Sequence, residues 1–287
     1  MKQRKTFRSL IAQKRYIVAP GAFDTLTARL IQLAGFEAVY LTGGGYSRAN
    51  GYPDLGLLTL TEIVRWISLT TEAVNIPVIA DADTGYGNAL NVVRTVREFE
   101  RAGVAAFHLE DQVAPKKCGH YEGKHVVTAQ EMIGKIKAAA DTRQDRDLVI
   151  IARSDARAVE GLDAAIERVN RYMEAGADMG FVEAPQSAEE LAQVGRRVTP
   201  AVANIFEGGK TPVLPAAALE RMGFRLGIYP SQTQRAAIFA IKETLAVLKR
   251  DGDTKAVENR LATFAEREDA VDAERWRAIE EKYLQDS

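Results

Sequence analysis

Residues 105–120 read AAFHLEDQVAPKKCGH, and the plan of the whole chain follows from them. Residues 105–109 form a short apolar run without polar alternation, the pattern of a strand covered on both faces. The run ends on two carboxylates, Glu110 and Asp111. It passes into a loop that holds the only cysteine, Cys118, among Lys116, Lys117, Gly119 and His120. The same order of apolar run, polar strand end and helix recurs on both sides. Upstream, residues 17–19 end at Pro20-Gly21, residues 38–41 at Thr42-Gly43-Gly44-Gly45, and residues 77–80 at Asp81-Ala82-Asp83. Downstream, residues 148–152 end at Arg153-Ser154-Asp155, 179–182 at Glu183, 201–203 at Asn204, and 226–229 at Pro230-Ser231. Helical periodicity and capping signals predict helices over 7–14, 24–33, 61–74, 91–102, 128–140, 162–175, 188–198, 216–222 and 232–250. A long loop is expected between Thr42 and Leu58.

Eight such units predict an α/β fold, a (β/α)8 TIM-type barrel, rather than an open doubly wound sheet. No Gly-x-Gly-x-x-Gly opens a helix after a strand, which argues against a dinucleotide site. The barrel domain is expected over residues 1–250. Residues 251–287 form a charged helical extension whose Leu261, Phe264, Val271, Trp276 and Ile279 need apolar cover. That cover comes from the barrel or from a neighbouring subunit.

Composition narrows the class. A hydrophobic share of 46% with 27% charged residues fits a globular protein. A net charge of −1 gives no field that would draw the chain to nucleic acid or an anionic membrane. A single cysteine excludes an internal disulfide and a multi-cysteine metal site. The start, MKQRKTFRSLIAQKRY, is basic but lacks a long apolar run, so it reads as a first helix and not a secretory signal. No run approaches the ~18 apolar residues of a membrane span. The expected location is the cytoplasm.

Barrel enzymes build their sites at the C-terminal ends of the strands. Here those ends carry Gly43-Gly44, Asp81, Asp83, Glu110, Arg153, Glu183 and Asn204. Carboxylates converging on one mouth repel unless a cation lies among them, and oxygen ligands suit a hard metal, Mg²⁺ or alternatively Mn²⁺. Turn capping would account for Asp83 alone, but not for the set. Arg153 offers a planar fork for a substrate carboxylate, and the glycines allow backbone N–H groups close to an anion. Cys118 beside lysines suits proton transfer, because nearby positive charge favours the thiolate. The plain alternative is a surface turn with a spectator cysteine. Of the histidines, His108 reads as lying behind the site or packed beside its strand, His120 as tuning Cys118, and His125 as solvated. Tyr40 faces the site or the core.

Together these residues resemble the isocitrate lyase/phosphoenolpyruvate mutase superfamily over about residues 5–250. The resemblance is carried by Lys116-Lys117-Cys118-Gly119-His120, Asp81-Ala82-Asp83 and Glu110-Asp111-Gln112. The cysteine loop is similar to the mobile gating loop of the lyase branch. The resemblance implies a (β/α)8 barrel whose eighth helix is exchanged between subunits, in a homo-oligomer, usually a tetramer. It implies Asp81 and Asp83 as a Mg²⁺-binding pair, with Glu110 acting directly or through water. It implies Thr42, Gly43 and Gly44 as a carboxylate-binding turn, and Asp54, Lys116, Gly119, His120, Arg153, Glu183, Asn204 and Arg235 at substrate-binding positions. Arg267 in the tail is a looser match. Cys118 resembles the general acid, with Tyr40 as the base. The implied reaction is a retro-Claisen-type cleavage of a small anionic 2-hydroxy diacid to pyruvate and a second carboxylate.

One departure bears on the substrate. Two positions past Asn204, methylisocitrate lyases typically carry a hydroxyl residue for an additional carboxylate, and here that position is Phe206. An apolar ring would leave a buried carboxylate unpaired, at a cost of several kcal/mol. The runs Glu207-Gly208-Gly209-Lys210 and Val182-Glu183-Ala184-Pro185-Gln186-Ser187 resemble the dimethylmalate lyase pattern more. The rival readings on the same scaffold are a phosphonomutase, which conserves the carbon skeleton, and an oxaloacetate hydrolase, which releases acetate and oxalate. A non-catalytic barrel would be expected if a key group were missing, and none is.

Overall fold

The computed structural model describes residues 2–284. Eight parallel strands form a closed barrel in sequence order. They are β1 (Ile17–Ala22), β2 (Val39–Leu41), β3 (Val78–Asp81), β4 (Ala106–Glu110), β5 (Val149–Ser154), β6 (Met179–Val182), β7 (Ala201–Asn204) and β8 (Phe224–Tyr229). β8 pairs with β1 to close the ring. The helices are α1 (Lys2–Ala12), α2 (Thr25–Leu33), α3 (Gly43–Ala49), α4 (Leu60–Ala73), α5 (Ala89–Ala102), α6 (Ala129–Thr142), α7 (Leu162–Glu174), α8 (Ala188–Arg197), α9 (Ala216–Met222), α10 (Gln232–Asp251), α11 (Phe264–Ala270) and α12 (Ala273–Leu284). No helix among the described residues is long and apolar enough to cross a membrane.

Successive side chains of a strand point to opposite faces, and this alternation decides what enters the site. In β4, Phe107 and Leu109 join the apolar layer between barrel and helices, while Ala106 packs in the inner core. His108 and Glu110 share the parity of Ala106, so they point inward. Ile79 with Asp81, Ile151 with Arg153, and Phe181 with Glu183 follow the same rule. Register then sets neighbours: Asp81 lies beside His108 and Glu110 beside Arg153. Phe7 and Leu10 of α1 pack into the inner core. That gives the predicted first helix its role as a plug for the barrel.

The expected loop from Thr42 to Leu58 contains α3. Three consecutive glycines carry almost no helix preference, so the sequence hides it. Thr42 caps the helix by accepting from the Gly45 N–H at 3.2 Å. A Cβ on Gly43 would sit 2.7 Å from Asp81 Oδ2, and one on Gly44 would sit 2.6 Å from Asp54 Oδ2. The glycines are there for close approach.

The C-terminal extension is helical, and its apolar groups are only partly covered. Ala270 at the end of α11 is buried, and its carbonyl accepts from Arg29 Nε of α2 at 2.7 Å. α12 buries none of its residues, and α10 buries Gln234 alone.

Candidate active site

The strand ends bring the predicted carboxylates together. Asp81, His108 and Glu110 each offer one ligand atom, all within 4.8 Å of one another. Glu110 is fully buried, and neither of its oxygens receives a hydrogen bond among the described residues, although Arg153 NH1 forms an ion pair with Oε2 at 3.2 Å. Burial pushes its carboxyl well above the ordinary value. An orphaned carboxylate of this kind fits a hard cation, and Asp81 beside it completes an oxygen donor pair. Burial opposes the charge on Asp81 too, but neighbouring His108, Lys116 and Arg153, in that order, outweigh it and hold the group at about 2.

Asp83 is turned differently. Its backbone adopts φ 46°, its N–H donates to Asp81 Oδ1 at 2.9 Å, and its own Oδ1 lies 2.8 Å from Lys116 Nζ. The cation that Asp83 faces is thus a lysine. Burial pushes it up to about 6, aided by the Asp81 and Asp54 charges and opposed by Lys116.

His108 lies inside the barrel, its Nε2 2.9 Å from the Tyr40 hydroxyl and 3.5 Å from Asp81 Oδ1. Burial lowers its pKa to about 4, so the ring is neutral. Tyr40 is buried with it, and burial with the Asp81 charge raises its pKa well above the usual value. Both effects favour the protonated phenol. The Tyr40 hydroxyl also donates to Asp81 Oδ2, at 3.4 Å.

The expectation that the carboxylates need an added cation is met in part by the chain itself. Lys116 Nζ lies 2.6 Å from Asp54 Oδ1, and both groups are buried. Arg153 donates from Nε to Asp155 Oδ2 at 2.9 Å and from NH2 to Asp155 Oδ1 at 3.1 Å. Its NH1 reaches to 3.2 Å from Glu110 Oε2. The fork expected to grip a substrate carboxylate is therefore occupied by Asp155, which the sequence reading passed over. What Arg153 presents to the site is positive charge.

The cysteine loop lies closed over this cluster. A bridge between Gln112 and Val126 ties its base. The Gln112 amide donates to Lys117 O at 2.8 Å and accepts from Lys117 N at 3.0 Å. The Cys118 N–H donates to Asp54 O at 3.2 Å. A Cβ on Gly119 would stand 2.4 Å from Arg153 NH2 and 2.7 Å from Glu183 Cδ, so the loop backbone touches down on both. Burial pushes the Cys118 thiol up to about 11, with the Asp54 charge adding to the effect. The neighbouring lysines do not make a thiolate. Desolvation outweighs them and favours the protonated thiol.

At the far side of the mouth, His120 Nε2 lies 3.0 Å from Glu183 Oε1, and Asn204 Nδ2 lies 3.2 Å from the same oxygen. Burial disfavours the Glu183 charge, yet Arg153 holds its pKa below the ordinary value. His120 Nδ1 accepts from the Lys210 N–H at 3.0 Å, and Phe206 meets the His120 ring edge-on at 4.3 Å between centroids. Lys210 was not foreseen as a contact. Arg235 does not join the cluster: its side chain is 55% exposed, and NH1 donates to Glu207 O at 2.7 Å on the rim. Arg267 is exposed on α11 with its guanidinium over Phe264, and His125 is exposed. Lys124, also unforeseen, is buried beneath the loop.

Buried acidic side chains at the strand ends of a (β/α)8 barrel, with a cysteine-bearing loop resting on them, form the layout of a barrel enzyme's active site. The chain belongs to the phosphoenolpyruvate phosphomutase family, within the PEP mutase/isocitrate lyase superfamily, and the family model matches residues 7–249. It is 48% identical to the 2,3-dimethylmalate lyase of Eubacterium barkeri, covering 96% of both chains. It is 45% identical to the 2-methylisocitrate lyase of Aeropyrum pernix, covering 92% of this chain and 85% of that one. The crystal structure of a 2,3-dimethylmalate lyase superposes with a TM-score of 0.93 at 36% identity, covering 99% of this chain and 96% of that one. The protein is an enzyme of the carbon–carbon lyase class.

Proposed function

We propose that the protein is a Mg²⁺-dependent lyase that cleaves a 2-hydroxy dicarboxylate of the 2,3-dimethylmalate type to pyruvate and a second carboxylate. The observation that carries the reading is Cys118, a half-buried thiol with a raised pKa on a loop whose backbone rests on Asp54, Arg153 and Glu183 at the strand ends. Asp81 and Glu110 would hold the metal. When bound, it supplies positive charge that acidifies the substrate hydroxyl and binds its carboxylate. Mn²⁺ would fit the same donors.

The chain's own groups account for the remaining work. Arg153 and Lys116 contribute fixed positive charge to an anion in the mouth. The proton of the 2-hydroxyl leaves to a carboxylate, and Asp83, pushed up to about 6, matches that task better than Tyr40. The C2–C3 bond breaks, its electron pair moves onto the departing fragment, and the C2 oxygen becomes the ketone of pyruvate. Cys118 gives its proton to the new carbanionic carbon. The thiolate regains a proton when the loop opens. The closed loop excludes water during the step.

Phe206 supports an alkyl-bearing substrate. It places an apolar ring against His120 where a further carboxylate would need a donor. Assembly into a homo-oligomer, a tetramer with exchanged eighth helices, is supported by the apolar surface that α10 leaves uncovered. The cytoplasm is the proposed location.

A pyruvate-release assay with Mg²⁺ tests the reading, offering 2,3-dimethylmalate and 2-methylisocitrate separately. Pyruvate from the former alone is expected. Pyruvate chiefly from the latter would overturn the argument from Phe206. Silence from both, with acetate and oxalate from oxaloacetate or a rearranged phosphonate instead, would overturn the lyase assignment.

A further inference from the structure

We propose that Lys124 is a positioning residue that couples closure of the cysteine loop to the aim of Arg153. Gly123, at φ 68°, turns the chain so that the next side chain runs back beneath the loop. The Lys124 side chain is only 2% exposed. Its ammonium donates to the Gly119 carbonyl and, at 2.8 Å, to Asp155 Oδ1. Gly119 is the point where the loop meets Arg153 and Glu183, one residue from Cys118. Asp155 Oδ1 is also the atom that accepts from Arg153 NH2 at 3.1 Å, while Oδ2 accepts from Arg153 Nε at 2.9 Å. One ammonium therefore holds the loop backbone beside the thiol and the anchor of the guanidinium.

The chemistry of burial makes this contact consequential. Asp155 is fully buried between two cations, and breaking a buried ion pair by removing one partner is strongly destabilising locally. When the loop lifts, Lys124 leaves with it, and Asp155 is balanced by Arg153 alone. Lys116 and His120 also reach from the loop to the floor, at Asp54 and Asp83 and at Glu183, but neither touches Asp155. Lys117 donates to Gly123 O within the loop itself, and Lys210 pairs with Glu122, whose side chain is 86% exposed, the kind of pair that contributes little. Among the described basic groups of the loop, Lys124 alone reaches Asp155, the anchor of Arg153.

The consequence for turnover rests on the proposed role of Cys118 as proton donor. The coupling of loop to floor does not, and the test separates the two. The variants are Lys124→Met, which keeps the aliphatic stem, and Lys124→Arg, which keeps the charge. Amide hydrogen exchange is followed on the full chain with Mg²⁺ and oxalate as a small dianion probe. In Lys124→Met, residues 112–126 are expected to exchange roughly tenfold faster while the barrel helices keep their protection. Turnover of the proposed substrate should fall roughly 10²-fold in kcat with a much smaller change in KM. Lys124→Arg should recover most of the loop protection. Unchanged exchange over 112–126 in Lys124→Met, or equal loss throughout the barrel, would overturn the proposal. If Lys124→Met does not fold, Lys124→Gln carries the same comparison. A wild-type protein that releases no pyruvate would refute the functional reading and leave the exchange result to decide the coupling.

Discussion

A thiol donates a proton only while it holds one, and Cys118 is held near the top of that range. Thiolate is the species that alkylates, and burial pushes this group up to about 11. At neutral pH iodoacetamide should therefore label Cys118 slowly. The rate should climb about tenfold per pH unit through pH 10, in proportion to the thiolate fraction. A plateau near pH 8 would mean an open loop or a stabilised thiolate. Cys118→Ser should lower kcat on the order of 10²–10⁴-fold, the range for loss of a general acid. Glu110 makes the second prediction. Its pKa is raised by burial, so without metal it carries its proton above the ordinary carboxylate range. Mg²⁺ must displace that proton, so affinity should strengthen as pH rises and binding should release protons. Calorimetry in buffers of differing ionisation enthalpy measures both, and pH-independent binding without proton release would contradict it. The residue types of the site were readable in order along the chain, because each ends an apolar run. Their partners were not. Arg153 spends its fork on Asp155, and Lys124 reaches it from a loop 31 positions away in sequence, pairings that only folding creates.

At the scale of elements, the loop and the strand ends fit one another through missing atoms. Gly119→Ala would add a methyl group 2.4 Å from Arg153 NH2 and 2.7 Å from Glu183 Cδ. The closed loop cannot accept it, whereas the barrel beneath does not depend on it. Activity should drop by roughly 10²-fold, as for a displacement of about 1 Å in a reacting group. Thermal unfolding should move little. A normal kcat would show that the loop does not close this far during turnover. The loop after β7 adds the selectivity argument. Phe206 rests on His120, and the Lys210 N–H fixes His120 Nδ1 as an acceptor. Phe206→Ser exchanges the ring for a donor. It should shift the ratio of kcat/KM for 2-methylisocitrate over 2,3-dimethylmalate upward by roughly 10–10²-fold, the scale of one pocket contact. An unchanged ratio measured with both substrates would remove Phe206 from the specificity argument. The strands and long helices were legible because periodicity and caps agree: Asp24, Thr59 and Asn88 each cap the helix that follows. α3 was not legible, since its glycines serve approach by Asp81 and Asp54 rather than helix propensity.

At the scale of the whole molecule, the barrel is finished on one side and bare on another. Helices α4 to α7 bury their apolar faces against the strands. α10 behaves differently: Ile238, Phe239, Ile241 and Leu245 are 48%, 62%, 56% and 56% exposed. The surface where an eighth helix would cover the barrel also keeps Leu30 and Phe36 at 49% and 38% exposure. Burying side chains of this size contributes roughly 1.5–3 kcal/mol each, and a helix of 20 residues with this many uncovered apolar groups is a poor solution for an isolated chain. The sequence signalled the need, since the tail carries apolar residues with no ninth unit to receive them, but it could not say which copy of the barrel provides the cover. An exchanged arrangement satisfies both surfaces at once, because the apolar face of α10 and the bare face beside α2 belong to every copy. The double variant Phe239→Glu and Leu245→Glu places two charges in that contact without touching the strand ends. Light scattering should then report the mass of a single chain where the wild type reports a multiple. The circular dichroism of the barrel should persist. A wild type that runs as a single chain at micromolar concentration, or a double variant that keeps the wild-type mass, would refute the exchange and require α10 to fold back on its own barrel.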